Sequence, residues 1–352
     1  MSPLFKRISK SQLAPGARRS RIADNLSTYL SLAVGCLILL LFVVGAIFAP
    51  EPDCFSSDRN YGPSLPGLTQ LFAPAEDVAP AETSGEIDVF DFGDEQEEAA
   101  PKQEYQVSSK FPLGTDSGGC DLLTKILRGG RIVFLAGVIS VLLSLGLGVL
   151  IGAITGFYTT NFSLRERHAL SQHIKNAFVS LANYTLYTFN ALPRLVLIIV
   201  PIAIVAQIRM DVMFLAVGVA NFPPIAVLVR DKVKEIKQQT YITVVRELGI
   251  PEWKILLKHI LWAHCKPILI IYFFMTFIQV IMIEANLGYL GYALQGSWGY
   301  NFLTSHEELF KVGVEQARLW QFFMPALAVT LVVVALTLII DALNKIYRFY
   351  EK

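Results

Sequence analysis

Residues Arg131–Tyr158 read RIVFLAGVISVLLSLGLGVLIGAITGFY, and this stretch sets the class of protein. It has no charged side chain after Arg131, and about 20 consecutive apolar residues are enough to cross a bilayer as a helix. Small residues recur along it at every fourth position, namely Ser140, Ser144, Gly148, Gly152 and Gly156. Because such residues share one helix face and let backbones approach closely in lipid, we predict an inner, packed transmembrane helix.

Five further apolar runs lie on either side of this segment. They are Asn25–Ala49, Ala177–Ile208, Val212–Val229, Ala263–Gly288 and Trp320–Leu343. The chain of 352 residues is 53 % hydrophobic and 17 % charged, with a mean hydropathy of +0.49, which excludes an ordinary soluble protein. We therefore predict an all-α integral membrane protein with six transmembrane helices. Pro193 and the Pro223–Pro224 pair are expected to break their helices.

Basic residues indicate the side of the membrane that each end occupies. Lysine and arginine cluster before the first run, between the fourth and fifth runs, and after the sixth run. Because such clusters stay in the cytoplasm, we predict a multi-pass protein of the cytoplasmic (inner) membrane with both termini cytoplasmic. The near balance of 30 basic and 29 acidic residues gives no overall field that would recruit nucleic acid.

These features divide the chain into four predicted parts. They are a basic cytoplasmic N-terminus at 1–26, an anchor helix at 27–49, an extracytoplasmic acidic insert at 50–110 and a five-helix core at 111–352, whose cytoplasmic loop lies at about 239–261. The insert is expected to be flexible, because it has too little apolar surface to offset the entropy lost on ordering. A cleaved signal peptide is the alternative for the first run, and a docking arm is the alternative for the insert.

The chain offers one candidate cross-link and no catalytic motif. Cys54 and Cys120 both fall on the predicted extracytoplasmic side, where a disulfide is permitted. The four cysteines include no CxxC pair, and the five histidines show no i,i+4 spacing. Phosphate-loop, HExxH and GxSxG motifs are also missing from the sequence. We therefore expect no metal, no cofactor bound by this chain and no enzymatic activity.

The most informative polar segment is Tyr241–Leu261, YITVVRELGIPEWKILLKHIL, in the predicted cytoplasmic loop. Gly249 is placed to close one helix in the left-handed conformation, and Pro251 fits the first turn of the next helix. In that second helix Trp253 and Ile260 are predicted to share an apolar face, which indicates an amphipathic helix-turn-helix on the membrane surface. Such a helix either rests on lipid or inserts into a groove of a partner, and its periodicity does not distinguish the two.

Several ordered motifs resemble those of one family, the ABC-importer permeases of the dipeptide, oligopeptide and nickel group. Six residues fall on the spacing of the group's cytoplasmic coupling loop, the EAA motif: Tyr241, Arg246, Leu248, Gly249, Ile255 and His259. Residues 111–121 are similar to its extracytoplasmic LGTDxxGRD signature, residues 284–291 to EASLSFLG, and residues 297–299 to PSWG. The resemblance covers roughly two thirds of the chain and fits the second, C-type permease subunit.

The resemblance implies a type I permease architecture and import of peptides or a related small solute by alternating access. It implies as partners a second permease, two ATPase subunits or domains that use ATP and Mg²⁺, and an extracytoplasmic solute-binding protein. The loop that contains Tyr241 would dock into a groove of the ATPase. Gly249 would form the turn, Trp253 and Ile255 would contact the groove, and Arg246 and His259 would be polar contacts or caps.

Three departures from the family pattern accompany these matches. Thr243–Val245 replaces the Glu-Ala-Ala sequence, so any charge contact expected of that glutamate is lost. Trp262 stands where a proline usually ends the loop, and Cys120 replaces the arginine of GRD. The strength of coupling and the solute, whether a peptide, a metal chelate or another molecule, are therefore not determined by the resemblance.

Two of the charged residues within the predicted spans are candidates for a functional role. Arg194 follows Pro193 in the third span, and Glu284 lies near the outer end of the fifth. Because charges within a membrane usually face a cavity or a partner, Pro193, Arg194 and Glu284 are candidates for the translocation path. The two charges are also candidates for pairing with each other, and a structural turn is the alternative for Glu284.

Two functions of other classes compete with the importer hypothesis. A self-contained ion-coupled transporter would need coupling carboxylates near the midplane, and the spans contain few charges. A membrane scaffold that binds partners through the acidic insert would leave the ordered motifs unexplained.

Overall fold

The computed structural model describes residues 15–52, 54, 61–65, 106–158, 169–205, 209–312 and 318–350. Its helices are α1 (Pro15–Phe48), α2 (Leu122–Tyr158), α3 (Ala169–Ala191), α4 (Arg194–Val205), α5 (Met210–Lys237), α6 (Thr240–Glu247), α7 (Glu252–Tyr289), α8 (Trp298–Val312) and α9 (Leu319–Tyr350). Two short strands, β1 (Tyr61–Gly62) and β2 (Gln106–Val107), pair in parallel. Most of the predicted acidic insert, at 66–105, lies outside the described residues.

The helices confirm an all-α membrane protein with five or six spans. Five segments are long and apolar enough to cross a bilayer: Leu26–Phe48, Leu122–Tyr158, Met210–Lys237, Glu252–Tyr289 and Leu319–Tyr347. The predicted third span is a bent pair, in which Ala177–Ala191 and Arg194–Val205 meet at 92°. Pro193 lies at this bend, as the sequence predicted. The pair makes a sixth crossing if it forms one broken span.

The expected break at Pro223–Pro224 is wrong, because α5 continues through both prolines. Side-chain donors form hydrogen bonds with backbone carbonyl groups in the turn just before the two prolines. Asn221 Nδ2 donates to the Val217 carbonyl at 3.0 Å, and Ser144 Oγ of α2 donates to the Gly218 carbonyl at 2.7 Å. The carbonyls that lose their amide donors are those of Val219 and Ala220, so these two bonds hold the turn before the prolines and do not replace the missing ones.

Contacts between residues divide the chain into two compact units. The first comprises the described residues of 1–44, 134–283 and 330–352. Its centre is the packing of α2 on α5, where the small-residue face of α2 meets the backbone of α5. A Cβ atom added to Gly152 would lie 2.4 Å from the Ala226 carbonyl oxygen, and Ser140 Oγ donates to the Phe214 carbonyl at 2.7 Å. The prediction of an inner, packed helix is confirmed.

The second unit comprises the described residues of 45–133 and 284–329. It contains the two strands, the loop before α2, and α8. Trp298, at the start of α8, is fully buried, and its Nε1 donates to the Ile126 carbonyl at 2.7 Å. Gly288 and Gly299 pack backbone against backbone, since a Cβ on Gly288 would lie 2.2 Å from the Gly299 carbonyl oxygen.

Candidate functional site

The predicted helix-turn-helix is a hairpin of α6 and the first turns of α7. Gly249 has a φ of +78°, so it closes α6 in the left-handed conformation that glycine adopts readily. Pro251 caps the next helix from the position before its first turn, one residue earlier than predicted. The second arm is not a separate surface helix, because α7 continues without interruption from Glu252 into the apolar span.

The first part of α7, Ile255–Cys265, is wound as a π-helix, in which residues five apart are joined by backbone hydrogen bonds and a turn is wider than in an α-helix. Ile255, Ile260 and Cys265 follow this spacing, and all three are buried. An α-helical period of 3.6 predicts instead that Trp253 and Ile260 share a face. That prediction is wrong, since Trp253 is 61 % exposed while Ile260 is fully covered.

Buried side chains attach the hairpin to the membrane helices. Ile242 of α6 and Ile255 and Ile260 of α7 belong to one hydrophobic cluster. It also includes Phe157 of α2 and four residues of α5, namely Ile225, Val229, Val233 and Ile236. Lys237 Nζ donates to the Phe157 carbonyl at the same junction. Because the cluster joins α2, α5, α6 and α7, the hairpin is held firmly against two candidate spans.

Polar contacts join the two arms of the hairpin. The Tyr241 hydroxyl donates to the His259 carbonyl at 3.3 Å, and the rings of Tyr241 and His264 stack with centroids 5.8 Å apart. Nδ1 of His264 also lies 3.0 Å from the His259 carbonyl oxygen. Burial raises the pKa of Tyr241, so its phenol keeps the proton that it donates. His264, which the sequence analysis did not single out, is thus part of the hairpin.

The tip of the hairpin exposes apolar side chains. They are Val244 and Leu248 of the first arm and Trp253 and Leu257 of the second. Leu248 is 74 % exposed and precedes Gly249, which is exposed itself. We call Val244, Leu248, Gly249, Trp253 and Leu257 the tip surface. A cluster of apolar side chains exposed on a supported hairpin is characteristic of a surface that another protein or the membrane covers.

The structure places the predicted loop residues in different environments. Gly249 and Trp253 lie on the tip surface, whereas Tyr241, Arg246 and His259 are half-buried. The interpretation of Ile255 as a groove contact is wrong, because the side chain is fully covered by its own chain and supports the hairpin from inside. Sequence reasoning missed Leu248 as a surface contact, although its position beside a left-handed glycine leaves few neighbours to cover it.

The candidate path residues have local partners. Arg194, at the bend after Pro193, is half-buried, and its Nη1 donates to Gln279 Oε1 of α7 at 2.9 Å. Glu284 is almost fully buried in the second unit, where its Oε1 accepts from the backbone N–H of Gly299 at 2.8 Å. Each charge thus has a partner other than the one suggested from sequence. Glu284 caps the first turn of α8, which is the structural alternative, and it does not line an open path in this structure.

The loop before α2 is fixed by a disulfide and by buried polar contacts. Cys54 and Cys120 are joined by a disulfide. Asp116 Oδ1 accepts from the backbone N–H groups of Gly118 and Cys120 at 3.0 and 2.8 Å, and its other oxygen pairs with Lys125. Arg318 Nη1 donates to the Asp116 carbonyl at 2.5 Å. The Asp116 loop is therefore a rigid, internally bonded feature of the second unit.

Removing the disulfide should loosen this loop. A Cys54→Ser/Cys120→Ser variant should lose about 2–4 kcal/mol of stability, because the bond closes a loop of 66 residues. Thermal unfolding of the detergent-solubilised protein measures the loss, with Cys36→Ser as the control because Cys36 is an exposed free cysteine. In the native protein, Cys54 and Cys120 should resist a thiol reagent without reductant. Free labelling of both would contradict the pairing.

Among the described residues, no group of three or more His, Cys, Asp or Glu side chains could hold a metal ion. The fold and the hairpin define the class: a multi-pass α-helical membrane protein with a supported hairpin, bearing an exposed apolar tip, between two candidate spans. No protein-family model matches the chain.

Comparison with known proteins gives the family. The glutathione transport system permease protein GsiD of Pectobacterium atrosepticum is 30 % identical over 240 residues, which cover 67 % of this chain and 72 % of that protein. The di/tripeptide transport system permease protein DppC of Pseudomonas aeruginosa is 27 % identical over 239 residues, covering 67 % and 71 %. The chain therefore belongs to the permease subunits of ABC importers and is a transmembrane subunit of that class.

One relative aligns over nearly the whole chain. A Brucella abortus protein named as a peptide transport system permease is 24 % identical over 347 residues, covering 96 % of this chain and 92 % of its own length. This alignment therefore includes most of the acidic segment at 50–110.

Proposed function

We propose that the chain imports peptides or a closely related small solute by alternating access, as one of two permease subunits that enclose the path. ATP and Mg²⁺ would be used by two separate ATPase subunits or domains, so this chain would not itself be an enzyme. An extracytoplasmic binding protein would deliver the solute, and both termini would lie in the cytoplasm. The observation that carries the proposal is the exposed tip surface on a hairpin anchored to two spans.

The hairpin is suited to transmit force. A protein that binds the tip surface moves α6 and the start of α7 as a unit, because Ile242, Ile255 and Ile260 interlock beneath it. The same cluster contains Phe157 at the end of α2 and Val233 and Ile236 near the end of α5. Close-packed interiors transmit displacement with little compression, so closure of an ATPase would shift both spans. This coupling does not need the glutamate that Thr243–Val245 lacks.

The bend at Pro193 places a polar side chain, that of Arg194, within an apolar region. The Arg194–Gln279 hydrogen bond links α4 to α7, and α7 also carries the hairpin. The Arg194 guanidinium has N–H donors besides the one that bonds Gln279. Such donors within the membrane are suited to bind a peptide carboxylate or carbonyl group. We therefore place Pro193 and Arg194 beside the path, and we assign Glu284 to packing.

The relatives named for glutathione and for di- and tripeptides give the probes for an uptake experiment. Cells that lack this chain should lose accumulation of at least one of three radiolabelled probes, a dipeptide, a tripeptide or glutathione, and the wild-type gene should restore it. Arg194→Ala should lower that uptake about tenfold or more while leaving the protein in the membrane. Unchanged uptake of all three probes in the deleted cells would contradict the peptide assignment but would leave the permease class intact.

A further inference from the structure

A second exposed surface begins beside the tip of the hairpin and continues along α7. Lys254, Lys258, Trp262 and Lys266 are spaced four apart, and all four side chains are exposed. Trp262 is 70 % exposed, and Lys266 Nζ lies 4.9 Å from the centroid of its ring. We call these four residues the Lys–Trp stripe. Its central aromatic residue replaces the proline with which members of the family usually end this loop.

The charged side chains of the stripe are all positive. Between Trp253 and Ile283 the sequence contains no Asp or Glu. Within the described residues, neither Lys258 nor Lys266 forms an ion pair with a carboxylate. Each ammonium group carries three hydrogen-bond donors and no acceptor, so the stripe is complementary to an anion with several oxygen atoms.

The position of the stripe indicates which kind of anion it would bind. Lys266 immediately precedes residues 267–283, which contain no charged side chain and form the apolar part of the α7 span. The stripe therefore lies where the helix passes from the hydrocarbon region into the headgroup region. Tryptophan and lysine are the residues that favour this boundary, the former through its amphipathic ring and the latter through attraction to anionic headgroups.

We propose that the Lys–Trp stripe binds the headgroup of an anionic phospholipid in the leaflet that borders the hairpin. The lysines would contact the phosphate and headgroup oxygens, while the Trp262 ring would lie against the upper acyl carbons. The lipid would hold the start of the α7 span at a fixed depth. This inference goes beyond the proposed function, since it concerns the bilayer and requires no ATPase.

The stripe adjoins the tip surface at Lys254 and Lys258, which directly follow Trp253 and Leu257. Trp262 and Lys266 lie five and nine residues beyond Leu257, the last residue of the tip surface. A protein bound at the hairpin tip can therefore leave Trp262 and Lys266 in contact with lipid. Variants of the two surfaces should consequently separate the two roles, because loss of lipid binding and loss of protein binding are measured independently.

Native mass spectrometry of the full chain in mild detergent tests the proposal. The purified protein is exposed to equimolar dioleoylphosphatidylglycerol and dioleoylphosphatidylcholine, which differ only in headgroup. The wild type should retain the anionic lipid at least about fivefold more than the neutral lipid. Lys258→Gln/Lys266→Gln should remove most of that preference, because each lysine near an anionic surface contributes roughly a fivefold gain.

Two further variants complete the design. Lys110→Gln/Lys345→Gln removes the same charge from exposed lysines outside the stripe and should keep the wild-type preference. Trp262→Ala keeps the charges and should lower retention of the anionic lipid about threefold. Circular dichroism establishes that each variant is folded. Equal loss in the control pair, no headgroup preference in the wild type, or unchanged retention in both stripe variants would overturn the proposal.

Discussion

Leu248→Glu combined with Trp253→Glu should leave the protein inserted in the membrane but lower recovery of an ATPase subunit more than about 30-fold. Both side chains are largely exposed, so the change removes little packing within the chain. At a contact with another protein, however, it would replace two apolar anchors with two carboxylates that must be desolvated. Because the hairpin core beneath remains intact, the expected defect is in association and not in folding.

Phe310→Glu is the matched control for this experiment, because Phe310 is 75 % exposed and lies on α8, outside the hairpin. It should leave ATPase recovery unchanged.

The turn at Gly249 provides an independent test of docking. A Cβ atom on Gly249 would meet no atom of the chain within 4 Å, so the bulk of Gly249→Arg projects away from the chain, while the positive φ of this position strains the turn as well. Gly249→Asn preserves access to the left-handed conformation and should assemble far better. Normal assembly of both Gly249→Arg and the double variant would refute docking at the tip.

Gly152→Leu should prevent formation of a stable membrane domain. A Cβ at this position would lie 2.4 Å from the Ala226 carbonyl oxygen and 3.0 Å from Val229 Cβ. The nearest obstacle is backbone, so no rotamer change relieves the clash, and α2 and α5 must separate along their length. Separation would also stretch the hydrogen bonds from Ser140 and Ser144 to α5. We expect a loss above about 4 kcal/mol, which exceeds most single substitutions.

Gly146→Leu is the control for this variant, since it lies in the same helix and a Cβ there would have no atom within 4 Å. It makes the same chemical change at an open position and should insert and remain monodisperse. Size-exclusion chromatography in detergent and resistance to limited proteolysis distinguish the two outcomes. A monodisperse, protease-resistant Gly152→Leu protein would show that the close approach of α2 and α5 does not support the fold.

The membrane fold was predictable because its determinants are local in sequence. Apolar length locates the spans, and small residues at every fourth position identify the face of α2 that contacts α5. The bend at Pro193 follows from the covalent chemistry of proline. The continuous helix through Pro223 and Pro224 was not predictable, because α5 packs against another helix there, whose Ser144 bonds the Gly218 carbonyl just before the prolines.

The hairpin shows why the buried face of a helix is harder to predict than the helix itself. Its turn at Gly249 follows from one residue type, but the buried face depends on how the helix is wound. In the π-helical segment a turn holds more residues than in an α-helix, and there Ile255 and Ile260 face inward while Trp262 remains exposed. A period of 3.6 assigns these residues incorrectly. The five-residue spacing of Ile255, Ile260 and Cys265 was the one available signal.

Co-purification of the tagged wild-type chain from its native membrane in mild detergent tests the central claim most directly. Mass spectrometry identifies the bound proteins, and ATP hydrolysis is measured in the same eluate. We predict a second permease, one or two ATPase subunits and ATP hydrolysis that is lost in the Leu248→Glu/Trp253→Glu variant. A wild-type chain recovered alone, folded and without ATPase activity would contradict an ATP-driven importer subunit that couples through its hairpin.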